Sequence, residues 1–156
     1  TVSDVKMKIT KDGNVTKPSQ VGFHATGSQT YNRTSSFVPE FNTEYFDIGG
    51  GYNNSNYRYT PQVKGFYQFH LSGQFGTDMN GNSIEQSFAF QLNGTSMNQY
   101  ADGYSTNYGN YYFVQLSQMV FCNGTTDYVQ AWMNSNRSPN INSTTKWSGY
   151  LIHPVA

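Results

Sequence analysis

The chain has little charge. Asp, Glu, Lys and Arg make up only 12% of its 156 residues, and they balance to a formal net charge of zero at a pI near 6.7. That excludes the basic stripe by which a domain tracks nucleic acid. Cys122 is the single cysteine, so no disulfide can form within the chain, unlike a small stapled secreted domain. It ends the apolar run Met119-Val120-Phe121 and reads as a small buried apolar residue, with no reactive role. No apolar run approaches the roughly 18 residues of a membrane span, so membrane insertion is not expected. Strong helix formers are scarce and no long stretch has helical period. The first residues carry neither a charged n-region nor an apolar h-region, so a signal peptide is not expected there.

Motifs of catalysis are missing as well. There is no Gly-x-Ser-x-Gly elbow, phosphate loop, dinucleotide fingerprint or His-Glu-x-x-His pair. Carboxylates are few, and Glu40 and Glu44 read as a solvated strand face. The expectation is a protein that binds and performs no chemistry.

What is abundant is aromatic: 13 Tyr and 11 Phe, with 15 Gly and many Asn, Ser and Thr. Aromatics suit strands, and Gly and Asn suit tight turns, so the composition argues all-β. One domain fits the length. Alternation predicts strands over 21–26, 41–47, 57–60, 66–74, 87–92, 111–121, 128–133 and 146–152. The 57–60 and 66–74 strands read as a pair around the turn 61–65. Loops are expected over 28–39, 77–83, 100–110 and 134–145, and Asn93-Gly94 is a strong hairpin signal.

The clearest strand is Gly65-Phe66-Tyr67-Gln68-Phe69-His70-Leu71. Side chains alternate along a strand, so Tyr67, Phe69 and Leu71 share one apolar face. Phe66, Gln68 and His70 share the other, which is too large and mixed for bulk water and suits a protein contact. With Phe41, Asp47, Tyr52 and Tyr59 upstream, this segment resembles the signature of the C1q family of globular heads. Phe41, Asp47, Tyr52, Gly65, Tyr67 and Phe69 fit that pattern; Tyr59 stands where it has Phe, and Leu71 where it has an aromatic. Trp147-Ser148-Gly149-Tyr150-Leu151-Ile152 is similar to the family's closing strand. The resemblance implies a jelly-roll β-sandwich of two antiparallel sheets, of the C1q and tumour-necrosis-factor type, assembled as a homotrimer. It implies a core containing Phe41, Tyr52, Tyr59, Tyr67, Phe69, Leu71 and Trp147. It also turns Phe66, Gln68 and His70 towards the neighbouring subunits.

Upstream, Val5, Met7 and Ile9 alternate with lysines before the Asp12-Gly13 turn and Val15. The segment 7–18 resembles the lead-in before C1q-like domains in bacteriophage tail-fibre and other structural proteins. Residues 1–20 are therefore expected to be a lead-in hairpin from an upstream stalk, and residues 21–156 the C1q-like domain. A plain N-terminal hairpin fits the same residues. The implied role is the trimeric head of a viral structural protein on the virion surface, binding a host-surface glycan or protein. A secreted C1q-like lectin or adhesin and a purely structural trimerisation cap are the alternatives.

Two stretches carry candidate ligands. The segment 100–112 is built of Tyr, Ser, Gly and Asn, the residues of adaptable binding loops. It offers Tyr104 and Tyr108 as stacking platforms, Asp102 and Asn107 as hydrogen-bonding groups, and Tyr100 beside them. The same rings would also serve to pack between subunits. The segment 78–85 has the oxygen-rich look of a calcium loop, with Asp78, Asn80, Asn82 and Glu85 as candidate ligands. It lacks the EF-hand spacing, and turn chemistry explains those residues equally well. No other cofactor is implied. His70 would be brought together three-fold in a trimer, which suits a metal or, more simply, a hydrogen-bonded interface. The Asn-x-Ser/Thr sequons at Asn14, Asn32, Asn53, Asn93, Asn123, Asn136 and Asn142 are what an Asn-, Ser- and Thr-rich chain makes by chance.

Overall fold

A computed structural model describes residues 7–16, 20–30, 34–76, 84–105 and 111–155. The described strands are β1 (Lys8–Ile9), β2 (Val15–Thr16), β3 (Gly22–Thr30), β4 (Ser35–Phe37), β5 (Thr43–Ile48), β6 (Tyr52–Asn53) and β7 (Arg58–Tyr59). They continue as β8 (Gly65–Gly76), β9 (Ile84–Leu92), β10 (Thr95–Ser105), β11 (Tyr111–Cys122), β12 (Val129–Ser135) and β13 (Asn140–Pro154). Strands β1 and β2 form a small hairpin of their own, turned by Gly13 at φ 81°, with Met7, Ile9 and Val15 exposed. The rest makes two antiparallel sheets. One is five-stranded, in the order β11-β8-β13-β3-β5. The other is six-stranded, in the order β10-β9-β12-β7-β6, with β4 on β12.

The core lies between these sheets and is largely aromatic. Phe23 stacks on Tyr52 (centroids 4.9 Å apart) and on Tyr59 (4.4 Å), and meets Trp147 edge-on at 4.7 Å. Phe41, Tyr59, Tyr67, Phe69, Leu71 and Trp147 are essentially without solvent exposure, and Tyr52 is buried at the margin. Their polar tips find backbone: Tyr52 donates to the Phe41 carbonyl, and Tyr67 Oη to the Val63 carbonyl at 2.7 Å. Burial pushes the Tyr67 phenol up to about 12. It likewise pushes the Cys122 thiol up to about 12, as suits an inert core residue.

Gly149 explains why the closing strand carries a glycine. A Cβ there would lie 2.6 Å from Phe69 Cε1 and 2.9 Å from Phe23 Cε1. The expected hairpin at Asn93-Gly94 is present, both residues having positive φ (53° and 81°) as such a two-residue turn requires.

Four sequence expectations are corrected. The 57–60 and 66–74 segments do not pair: β7 lies in the six-stranded sheet and β8 in the five-stranded one. Residues 61–64 carry the chain from one sheet to the other. The loop expected over 28–39 contains the end of β3 and all of β4, whose Phe37 is buried. The loop expected over 134–145 ends early, because β13 begins at Asn140, opposite Thr30 and Gly76. The loop expected over 100–110 is strand as far as Ser105, since β10 pairs with β9 from Tyr100↔Ala89 to Ser105↔Ile84. In the last three cases polar or Tyr-rich sequence is held as strand by a neighbour's backbone hydrogen bonds, which local pattern does not reveal.

Candidate binding site and subunit interface

The outer faces of the two sheets differ in chemistry. On the six-stranded sheet, polar side chains satisfy one another. Arg58 sits over the Tyr128 ring at 4.1 Å, and its Nε donates to Gln130 Oε1 at 3.0 Å. Gln130 Nε2 in turn donates to Gln91 Oε1 at 2.7 Å. Asp102 is exposed and pairs in register with Ser87, which pairs with Asn134, whose Oδ1 accepts from Ser36 Oγ. This face can meet water as it stands.

The five-stranded sheet presents the reverse. Its outer face exposes Phe46 and Ile48 from β5, Tyr150 from β13, Phe66 from β8, and Phe113, Met119 and Phe121 from β11. Phe66 and Phe121 pack edge-to-face at 5.4 Å. Their register is continuous across the sheet: Met119↔Gln68, Gln68↔Tyr150, Tyr150↔Gly22 and Gly22↔Ile48. Outside the β1–β2 hairpin, the exposed large apolar side chains are concentrated on this sheet and its edge strands. Such a patch marks an interaction surface.

A polar row crosses it. Ser117 pairs with His70, His70 with Ser148, Ser148 with His24, and His24 with Phe46. The His70 ring stacks on Tyr150 at 5.8 Å, while His24 lies 5.2 Å from Tyr45 and 6.0 Å from Phe46. Gln68 Nε2 donates to Ser117 Oγ at 2.7 Å. Beside His70, Ser72, Gln115 and Ser117 line a shallow groove of about 580 Å³.

The expected interface residues Phe66, Gln68 and His70 thus lie together on this outer face. Sequence reasoning missed their neighbours on β5, β11 and β13. The signal was available in β11, where Phe113, Gln115, Ser117, Met119 and Phe121 alternate with Val114, Leu116 and Val120, which are buried.

The candidate ligand residues are spread out. Tyr100 and Tyr104 are strand positions in β10, paired with Ala89 and Glu85. Asp102 lies between them, and Asn107 and Tyr108 fall outside the described residues. Trp132, which sequence reasoning also missed, is half-buried and shares the partner Ala89 with Tyr100. Topology places this region: Leu151 N–H donates to the Val21 carbonyl at 3.0 Å, so the start of β3 and the finish of β13 share one end of the sandwich. Ser105, Tyr111, Gly76 and Ile84 lie at the other. Of the calcium candidates, Asp78, Asn80 and Asn82 lie outside the described residues. Glu85 accepts at its carbonyl from the Asn136 N–H, and its own N–H donates to Asn136 Oδ1.

Two antiparallel sheets with these strand orders, packed over one core, make a jelly roll. Among solved structures, the same fold is seen in C1q and tumour-necrosis-factor proteins. The globular domain of zebrafish complement 1qA superposes with a TM-score of 0.62 at 11% identity, over 86% of this chain and 99% of that one. Murine APRIL at pH 5.0 gives 0.60 at 8% identity, over 85% and 99%. The Eiger TNF of S. frugiperda gives 0.59 at 8% identity, over 88% and 95%. At such identities the likeness is one of fold. No family model and no curated protein matches the sequence.

Proposed function

We propose that the protein is a non-catalytic binding head that works as a homotrimer. The observation that carries this is the contrast between the outer faces: one carries the hydrogen-bonded Arg58–Gln130–Gln91 network, while the other exposes large apolar side chains across the sheet. Closed cyclic assembly is the economical way to cover an identical apolar face on each copy. A stable interface buries roughly 800 Å² per partner.

The end of the sandwich opposite the start of β3 would then point away from any upstream stalk. Ser105 and Tyr111 lie at that end, and the composition of the segment 100–112 suits a glycan or protein surface on a host cell. Three linked copies would raise weak single-site binding by roughly 10²–10⁴ when they engage together. The likeness of residues 7–18 to phage lead-ins supports a place on a virion, as the head of a tail-fibre or similar structural protein.

Light scattering at micromolar concentration is expected to give three subunits. The trimer is expected to bind on a glycan array or to intact host cells, and Asp102→Ala to weaken that binding without changing assembly. A monomer removes the assembly reading. A trimer that binds no surface is a structural cap.

A further inference from the structure

Among the described residues, the outer face of the five-stranded sheet has titratable bases and no acid to meet them. His24 is flanked on β13 by Ser148 and Lys146, and on β5 by Tyr45 and Phe46. His70 is flanked by Ser148 and Tyr150 on β13 and by Ser117 on β11. The five strands hold two carboxylates among the described residues, Glu44 and Asp47, both on β5. They pair opposite Ala25 and Phe23, which face the core, and Asp47 is turned away to accept from the Gly51 and Tyr52 N–H groups at 3.2 and 2.8 Å. His24 Nε2 is sealed from solvent and has no hydrogen-bond partner. A proton placed there would be a charged donor without an acceptor, among aromatic rings and near a lysine.

We propose that the His70–Ser148–His24 row makes subunit assembly acid-labile, so that protonating these imidazoles separates the subunits while each keeps its fold. The inference rests on the assembly proposed above. Neutral imidazoles sit against Tyr and Phe rings at far less cost than charged ones, and the face is then apolar enough to be covered. His153, exposed and opposite Phe66, is a third histidine of this sheet outside the row. Charged, the row alone would bring two cations per copy to join Lys146 under a covering neighbour, in a setting that penalises unpaired charge. Already in the single chain, desolvation first and Lys146 second hold the His24 pKa below its ordinary value. A further loss of water would push it the same way.

The sign follows. The free subunit binds more protons than the assembled one, so assembly is strongest above the free subunit's histidine pKa and is lost as pH falls through it. Each such histidine lowers the trimer's association constant ~10³-fold per pH unit below that point, tenfold for each of three copies, and two per subunit multiply these factors.

The experiment is sedimentation velocity with far-UV circular dichroism at about pH 7.5 and about pH 5, on wild type, His24→Gln, His70→Gln and the double variant. The expected result is a wild-type trimer at the higher pH and separated subunits with unchanged β spectrum at the lower. The double variant should stay trimeric at both, with each single variant shifted part of the way. A wild type that is trimeric at both pH values overturns the acid-lability and leaves the assembly standing. A wild type that is monomeric at the higher pH overturns both. Dissociation of the double variant at low pH, or loss of the β spectrum together with the trimer, overturns the assignment to this row.

Discussion

Tyr59 and Tyr67 face each other across the core, ring centroids 6.0 Å apart at 64°, although they are near neighbours in sequence and belong to opposite sheets. The chain between them crosses the sandwich, with Val63 accepting the Tyr67 hydroxyl on the way. The crossing is held by two large buried side chains and one polar anchor.

Removal of the rings should therefore be costly and removal of the hydroxyl mild. Tyr67→Ala and Phe69→Ala are each expected to destabilise by about 3–5 kcal/mol. Tyr67→Phe should cost only about 1 kcal/mol, the worth of one hydrogen bond. Denaturant melts measure all three. Equal midpoints for Tyr67→Ala and wild type would mean that the ring contributes nothing to the core.

Gly149 tests the packing from the backbone side. A methyl group there meets the Phe69 and Phe23 rings at under 3 Å, so Gly149→Ala should destabilise by about 1–3 kcal/mol despite being a small change on a strand. Gly50→Ala is the useful contrast: it has open space around it but a φ of 67°, so its cost of about 1–2 kcal/mol would be backbone strain alone.

On the outer face the order of effects reverses. Phe121→Asp and Phe66→Asp leave the core untouched, so the β spectrum of the subunit should persist. If the face is covered by a second copy, each should weaken assembly by about 10²-fold or more, as loss of a buried aromatic anchor does. Analytical ultracentrifugation across a dilution series reads this. Asp at either position with unaltered assembly would place the interface elsewhere.

Cys122 gives a pH-dependent readout of core integrity. With its thiol pushed from 9.0 to about 12 by desolvation and by Asp127, the thiolate fraction near neutral pH is ~10³-fold below that of an ordinary cysteine. Alkylation of the native protein should be slow by at least that factor and become fast in denaturant. Rapid native labelling would show that this end of β11 opens readily.

What the sequence by itself determined is what depends on near neighbours. Aromatic and turn-forming composition decided the all-β class. The alternation of 65–71 decided which side chains of β8 are buried, because the period of two is local. Asn93-Gly94 decided its hairpin, because positive φ at both positions is a property of the residues themselves. Tertiary structure decided what depends on partners distant in the chain. The polar runs of β10 and β13 are strands because β9 and β8 offer them edges, and β7 parts from β8 because β12 and β6 take it into the other sheet. The gathering of Phe46, Tyr150, Met119 and Phe121 on one face with Phe66, and of His24 and His70 across Ser148, comes from registers between strands far apart in sequence. A one-residue slip in any of those registers would turn the row to the other face, and the packed core around Phe23, Phe69 and Trp147 holds them against it.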